Sequence, residues 1–285
     1  MTPMLMRPPL IRSARAKGWV VLAGVLILAV SMLWGLVIFV WSVLAGTGGG
    51  NATGGHPAGL PPAITSRPSV SASSPRLAQA ELAAAENALA ARPMLAVGPA
   101  DALPQLIADS GAGRPLVLPG PTNTTGLVLT GYPRTPEGAV AQLAAIDALA
   151  FRDLNPPGPR SAYDWAALPG AVSLQSWTPQ VGVSAILNAA GIPNGSAELT
   201  STWTLTHAQV KGVLDDGSFV VACVLGEFDA SYQSAVRAGI GDCQRMSWQG
   251  GRWWIGPGAQ PAFAPSTWPG SADCVRANWR EVANA

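Results

Sequence analysis

Leu199-Thr-Ser-Thr-Trp-Thr-Leu-Thr-His207 and, after a short break, Ser218-Phe-Val-Val-Ala-Cys-Val-Leu-Gly-Glu-Phe228 decide the fold class. In the first run Leu199, Trp203 and Leu205 alternate with Thr200, Thr202, Thr204 and Thr206. Successive strand residues point to opposite faces, so this alternation predicts a half-buried strand. The second run is apolar on both faces, as in a central strand covered from each side. Asp215-Asp216-Gly217 between the runs is a turn. It lacks the further carboxylates that a calcium loop needs. Beyond a polar loop, Gly239 to Trp248 reads as a third strand. Gln249-Gly250-Gly251 turns it, and Arg252-Trp253-Trp254-Ile255 returns as a fourth.

The cysteines test this layout. If Cys223 and Cys243 oppose each other on antiparallel strands, their connection centres on Gln233, in the middle of the polar stretch Asp229–Arg237. Opposed residues come close enough to bridge. A Cys223–Cys243 disulfide is therefore expected, with Cys274 free or intermolecular; three buried thiols are the alternative. No cysteine has the spacing of a zinc site.

One-sided helices precede the strands. Thr135-Pro136-Glu137 is a helix start: Thr caps, Pro fits the first position and Glu meets the positive end of the dipole. Val140, Leu143, Ile146 and Ala150 follow at helical spacing, and Asn155-Pro156-Pro157-Gly158 ends the element. Ser161 caps a short helix through Leu168. Thr178-Pro179 starts another, with Val183, Ile186, Leu187 and Ala190 on one face and Gly191 as its stop. Pro257 to Pro269 is a proline-rich wrap, and Ser271 to Val282 reads as a final short helix docked by Trp279. Helices first and a four-stranded antiparallel meander afterwards make an α+β domain.

The N-terminal part reads differently. Residues 18–45 carry no charge, and a helix from Trp19 to Leu44 would be roughly 39 Å long against a hydrocarbon core of about 30 Å. This predicts a single N-terminal transmembrane helix, longer than the apolar core of a cleaved signal peptide. Arg7, Arg12, Arg15 and Lys17 precede it, which places residues 1–17 in the cytoplasm and the bulk outside. Residues 46–75, rich in Gly, Pro and Ser, form a disordered linker. Residues 76–132 comprise an Ala-rich helical stalk and an irregular segment, and 133–285 form the exported domain. The expected location is the cell membrane, single-pass. After the tail, the remaining 13 basic and 16 acidic residues leave the chain net −3, which does not suit direct nucleic-acid binding.

Three stretches, Tyr132-Pro-Arg-Thr-Pro-Glu-Gly-Ala-Val-Ala-Gln-Leu-Ala-Ala-Ile-Asp147, Asp242-Cys-Gln-Arg-Met-Ser-Trp-Gln-Gly-Gly-Arg-Trp-Trp-Ile-Gly-Pro-Gly258 and Pro265-Ser-Thr-Trp-Pro-Gly270, resemble actinobacterial membrane proteins of plasmids and integrative elements. The order of elements resembles the NTF2-like fold, and the tail, span, linker and exported domain resemble the VirB8 and TcpC families of conjugation and type IV secretion machinery. The resemblance implies a scaffold subunit whose partners are the membrane, other secretion or conjugation subunits and further copies of itself. It brings no catalytic residue, cofactor or metal.

Two other functions compete. An enzyme would draw on Asp147, Asp153, Asp164, Glu227 and His207, none of them paired by spacing, and no Gly-x-Ser-x-Gly or His-Glu-x-x-His motif occurs. A ligand- or wall-binding module would use Trp203, Trp248, Trp253 and Trp254. Adjacent strand residues face opposite ways, so Trp253 and Trp254 cannot both be core. Trp253, Trp254 and Trp279 are the candidate interface residues.

Overall fold

The computed structural model describes residues 75–285 apart from 110 and 112. The tail 1–17, the span 18–45 and the linker up to residue 74 lie outside the described residues. Among those described, no helix is long and apolar enough to cross a membrane.

Helix α1 (Pro75–Ala91) opens the described chain, and strand β1 (Leu116–Leu118) follows. Three helices come next, α2 (Pro136–Ala150), α3 (Pro157–Ala166) and α4 (Thr178–Ala189). Three long strands, β2 (Thr200–Leu214), β3 (Phe219–Tyr232) and β4 (Ser234–Gln249), lead to the short β5 (Arg252–Ile255). A single-turn helix α5 (Ala272–Arg276) and strand β6 (Arg280–Asn284) complete the order.

The expected four-stranded antiparallel sheet is overturned, and with it the NTF2-like fold. The sheet is curled, mixed and six-stranded, in the order β1-β6-β2-β3-β4-β5. The C-terminus explains the difference. Helix α5, capped by Ser271, stops after one turn because Asn278 adopts the left-handed conformation at φ 60°. The chain then extends, and β6 enters the sheet between β2 and β1, antiparallel to the first and parallel to the second. The final helix expected over Ser271–Val282 is thus one turn followed by a strand.

The long hairpin is the second difference. Asp229–Arg237, read as a polar loop, is paired strand almost throughout, and β3 passes to β4 at Gln233 with φ 58°. Cross-strand ion pairs tie this polar end together: Arg237 meets both Glu227 and Asp229, the latter at 2.9 Å. The third difference lies at Pro156-Pro157. The prolines do not merely end α2; they open α3, where a missing N–H costs nothing.

Strand β3 is covered on both faces, as its composition predicts. Val220, Ala222, Val224 and Phe228 face α2, α3 and α4. Phe219, Val221, Cys223 and Leu225 face the opposite layer, built from the last turn of α1, Met94, Ala264, Cys274, Ala277 and Trp279. Trp203 lies flat on the backbone of Gly226, where a Cβ would come within 2.1 Å of the indole, and stacks on Phe151 at 6.1 Å. Helix α1 docks by its last turn. Ala90 packs with Phe219 and Val221, and Leu89 sits against Gly212.

Candidate functional site

The Cys223–Cys243 disulfide is present, between directly opposed residues of β3 and β4 whose Cα atoms are 4.1 Å apart. Cys274 is free and buried beside it in the same apolar cluster. The bond lies on the face away from α2, well inside the β3–β4 ladder.

Of the three candidate interface residues, the structure buries two. Trp253 is solvent-inaccessible, and its indole N–H donates to the Pro133 carbonyl at 2.9 Å. Trp279 is buried as well and donates to Pro265 at 3.0 Å. Both act as packing residues with the polar handle satisfied. Trp254, on the other face of β5, is half-buried. Its ring and that of Trp165 from α3 lie 6.4 Å apart at an interplanar angle of 24°. The guanidinium of Arg252 fits against both, 3.2 Å from the Trp254 centroid and 3.9 Å from that of Trp165. Arg252 also donates to the Trp165 carbonyl at 3.0 Å. The end of α3 closes this edge of the sheet, since the Leu168 N–H donates to the Ile255 carbonyl. The result is a tryptophan–arginine–tryptophan stack beside the β5 edge.

The acidic candidates separate clearly. Glu227 is engaged by Arg237 at the hairpin, Asp164 is exposed on α3, and Asp153 belongs to the 3-10 turn Arg152–Leu154. His207 is buried on the face away from α2. Burial lowers its pKa and the charge of Glu281 acts the other way. Asp147 is different. It is fully buried on the sheet side of α2, and neither carboxyl oxygen has a hydrogen-bond partner.

Its neighbour in charge is Asp242 of β4, a residue that sequence reasoning passed over. Asp242 is also buried but well provided with donors. Nε2 of Gln244 donates to its two oxygens at 2.8 and 3.0 Å, and the Thr178 hydroxyl and the Cys243 N–H donate as well. Burial pushes Asp242 up to about 7; burial and the charge of Asp242 push Asp147 well above the usual carboxylate range. The signal for Asp242 was in the alternation. With Cys243 on one face, Asp242 and Gln244 must point to the other, into the apolar layer under α2.

An open cleft of about 580 Å3 lies elsewhere, lined by Leu154, Asn155, Pro156, Asn194, Ser196 and Leu199 among others. It carries no titratable side chain and touches neither buried aspartate. Among the described residues no group of three or more His, Cys, Asp or Glu is placed to hold a metal ion.

Comparison of the chain with protein-family models, with curated proteins and with solved structures finds no match.

Proposed function

We propose that the chain is a membrane-tethered protein-contact module, an assembly subunit of a DNA-transfer or secretion apparatus that works outside the cytoplasm. The observation that carries the reading is the Trp165–Arg252–Trp254 stack. Trp and Arg dominate binding hot spots, and here the three side chains are already held in one arrangement. A partner that covers them has little rotamer freedom left to freeze. The buried disulfide supports the placement, because such bonds persist in oxidising compartments. The uncharged stretch 18–45 with its preceding basic residues supports the tether.

The test is crosslinking in intact membranes followed by affinity purification of the full chain. The expected result is recovery of other transfer or secretion subunits by the wild type and their loss in Trp254→Ala. Recovery of no such subunit, or equal recovery by the variant, overturns the reading. A second reading, a wall-polymer or small-ligand module, rests on the same aromatic faces. Retention of purified cell-wall polymer by the wild type and not by Trp254→Ala would favour it.

A further inference from the structure

The layer between α2 and the sheet contains two carboxyl groups and a shortage of protons. Asp242 already receives its hydrogen bonds from Gln244, Thr178 and the Cys243 N–H. The two oxygens of Asp147 receive none, and Oε1 of Gln244, which is itself fully buried, is unfilled too. The cluster therefore presents more acceptor atoms than donors. Ionising both aspartates would add a second unscreened charge to that deficit, and a proton on one of them removes the charge and supplies a donor.

No cation stands ready to do this instead. On the strands beneath α2, only Tyr232 of β3 joins Asp242 on the α2 side, and it brings no cation; the other charged and titratable groups point to the opposite face. Lys211 of β2 reaches the Ala90 carbonyl, and His207 of the same strand answers to Glu281. Glu227 and Asp229 of β3 meet Arg237 of β4, while Arg245 of β4 meets Glu86 and Asn87 of α1. Arg252 of β5 is held in the tryptophan stack. On α3, Tyr163 donates to the Val172 carbonyl and Asp164 is exposed; α4 carries no charged residue, and on α2 itself Glu137 occupies the distant first turn.

We propose that Asp147 and Asp242 form a proton-operated latch: while at least one of them carries a proton, α2 stays seated on the sheet, and loss of that proton loosens it. The proton comes from solvent and returns to it, so the latch reports the pH outside the helix–sheet layer and consumes nothing. Helix α2 is suited to the task because it is buried nearly all round over Gly138–Leu143 and again at Ile146 and Asp147, so a charge there has no route to solvent while the helix is seated. Water must enter that layer to solvate a second charge. The sign follows from burial. Both carboxyls titrate higher in the folded chain than when unfolded, so the folded state holds more protons and stability declines as pH rises from about 4 through 7 and above.

The test is thermal melting of the full chain in detergent micelles, followed by tryptophan fluorescence between about pH 5 and pH 9, together with infrared detection of a protonated carboxyl at pH 7. The wild type is expected to lose roughly 5 °C or more across that range and to show the carboxylic acid band. Asp147→Asn is expected to lose clearly less, because only Asp242 is left to ionise, and to show a weaker band. A flat wild-type profile, an undiminished alkaline decline in Asp147→Asn, or no protonated carboxyl in the wild type overturns the proposal. Should Asp147→Asn fail to fold, Asp242→Asn and the wild-type infrared spectrum decide by the same criteria.

Discussion

The ammonium of Lys211 donates to the carbonyl oxygen of Ala90 at 2.8 Å, joining the C-terminal part of β2 to the last turn of α1. Arg92 donates back to the Lys211 carbonyl, so the two chain segments hold each other twice. A cation at a helix C-terminus also meets the negative end of the dipole. Burial and the neighbouring Arg92 push the Lys211 ammonium down to about 8. What sequence alone suggested as a free stalk is therefore fastened to the sheet at its C-terminal end. Lys211→Ala should cost about 2 kcal/mol. It should also speed hydrogen exchange of the α1 amides several-fold, and an unchanged exchange rate would refute the fastening.

The disulfide closes a loop with a sequence separation of 20. Chain entropy alone gives such a loop a stabilisation of about 3 kcal/mol. Cys223→Ser with Cys243→Ser should lower the urea midpoint accordingly, and dithiothreitol should do the same to the wild type. Cys274 is buried, so maleimide should label it only after unfolding. Rapid labelling of the native chain would contradict its placement.

Adjacent tryptophans of β5 should behave oppositely. Trp253→Ala removes a fully buried ring and the donor to Pro133, which should cost about 3–5 kcal/mol in denaturant melts. Trp254→Ala removes a half-buried ring and should cost about 1 kcal/mol or less. Equal losses for the two would show that both rings are core.

Thr135 caps α2, accepting from the Gly138 N–H at 3.0 Å. Thr135→Ala should destabilise the chain by about 1 kcal/mol, and Thr135→Asp should restore it. Failure of the aspartate to recover stability would mean that the hydroxyl serves something other than the cap.

Some of this architecture is legible in the residues. Thr135-Pro136 starts a helix, and Gln233 is the midpoint between two bonded cysteines. The doubly apolar run in β3 is a central strand. These features are local or depend on simple spacing. Asp229–Arg237 was obscured because its polarity reflects cross-strand ion pairing rather than solvent exposure of a loop. Arg280–Asn284 was obscured because five residues of mixed character have no period, and their strand state is imposed by β1 and β2, more than seventy residues away in the chain. In the candidate site, Asp147 stood beside an apolar helical face, but Asp242 gains its meaning from the helix packed over it. A separation of nearly one hundred residues hides that meeting from any reading of spacing.

Because β6 is wedged between β1 and β2, β1 joins the sheet only through Arg280–Asn284. A ribosome must pass those residues before the sheet can close along that side. Until then the nascent molecule carries an open seam on β2, and any factor that escorts it would find that seam waiting.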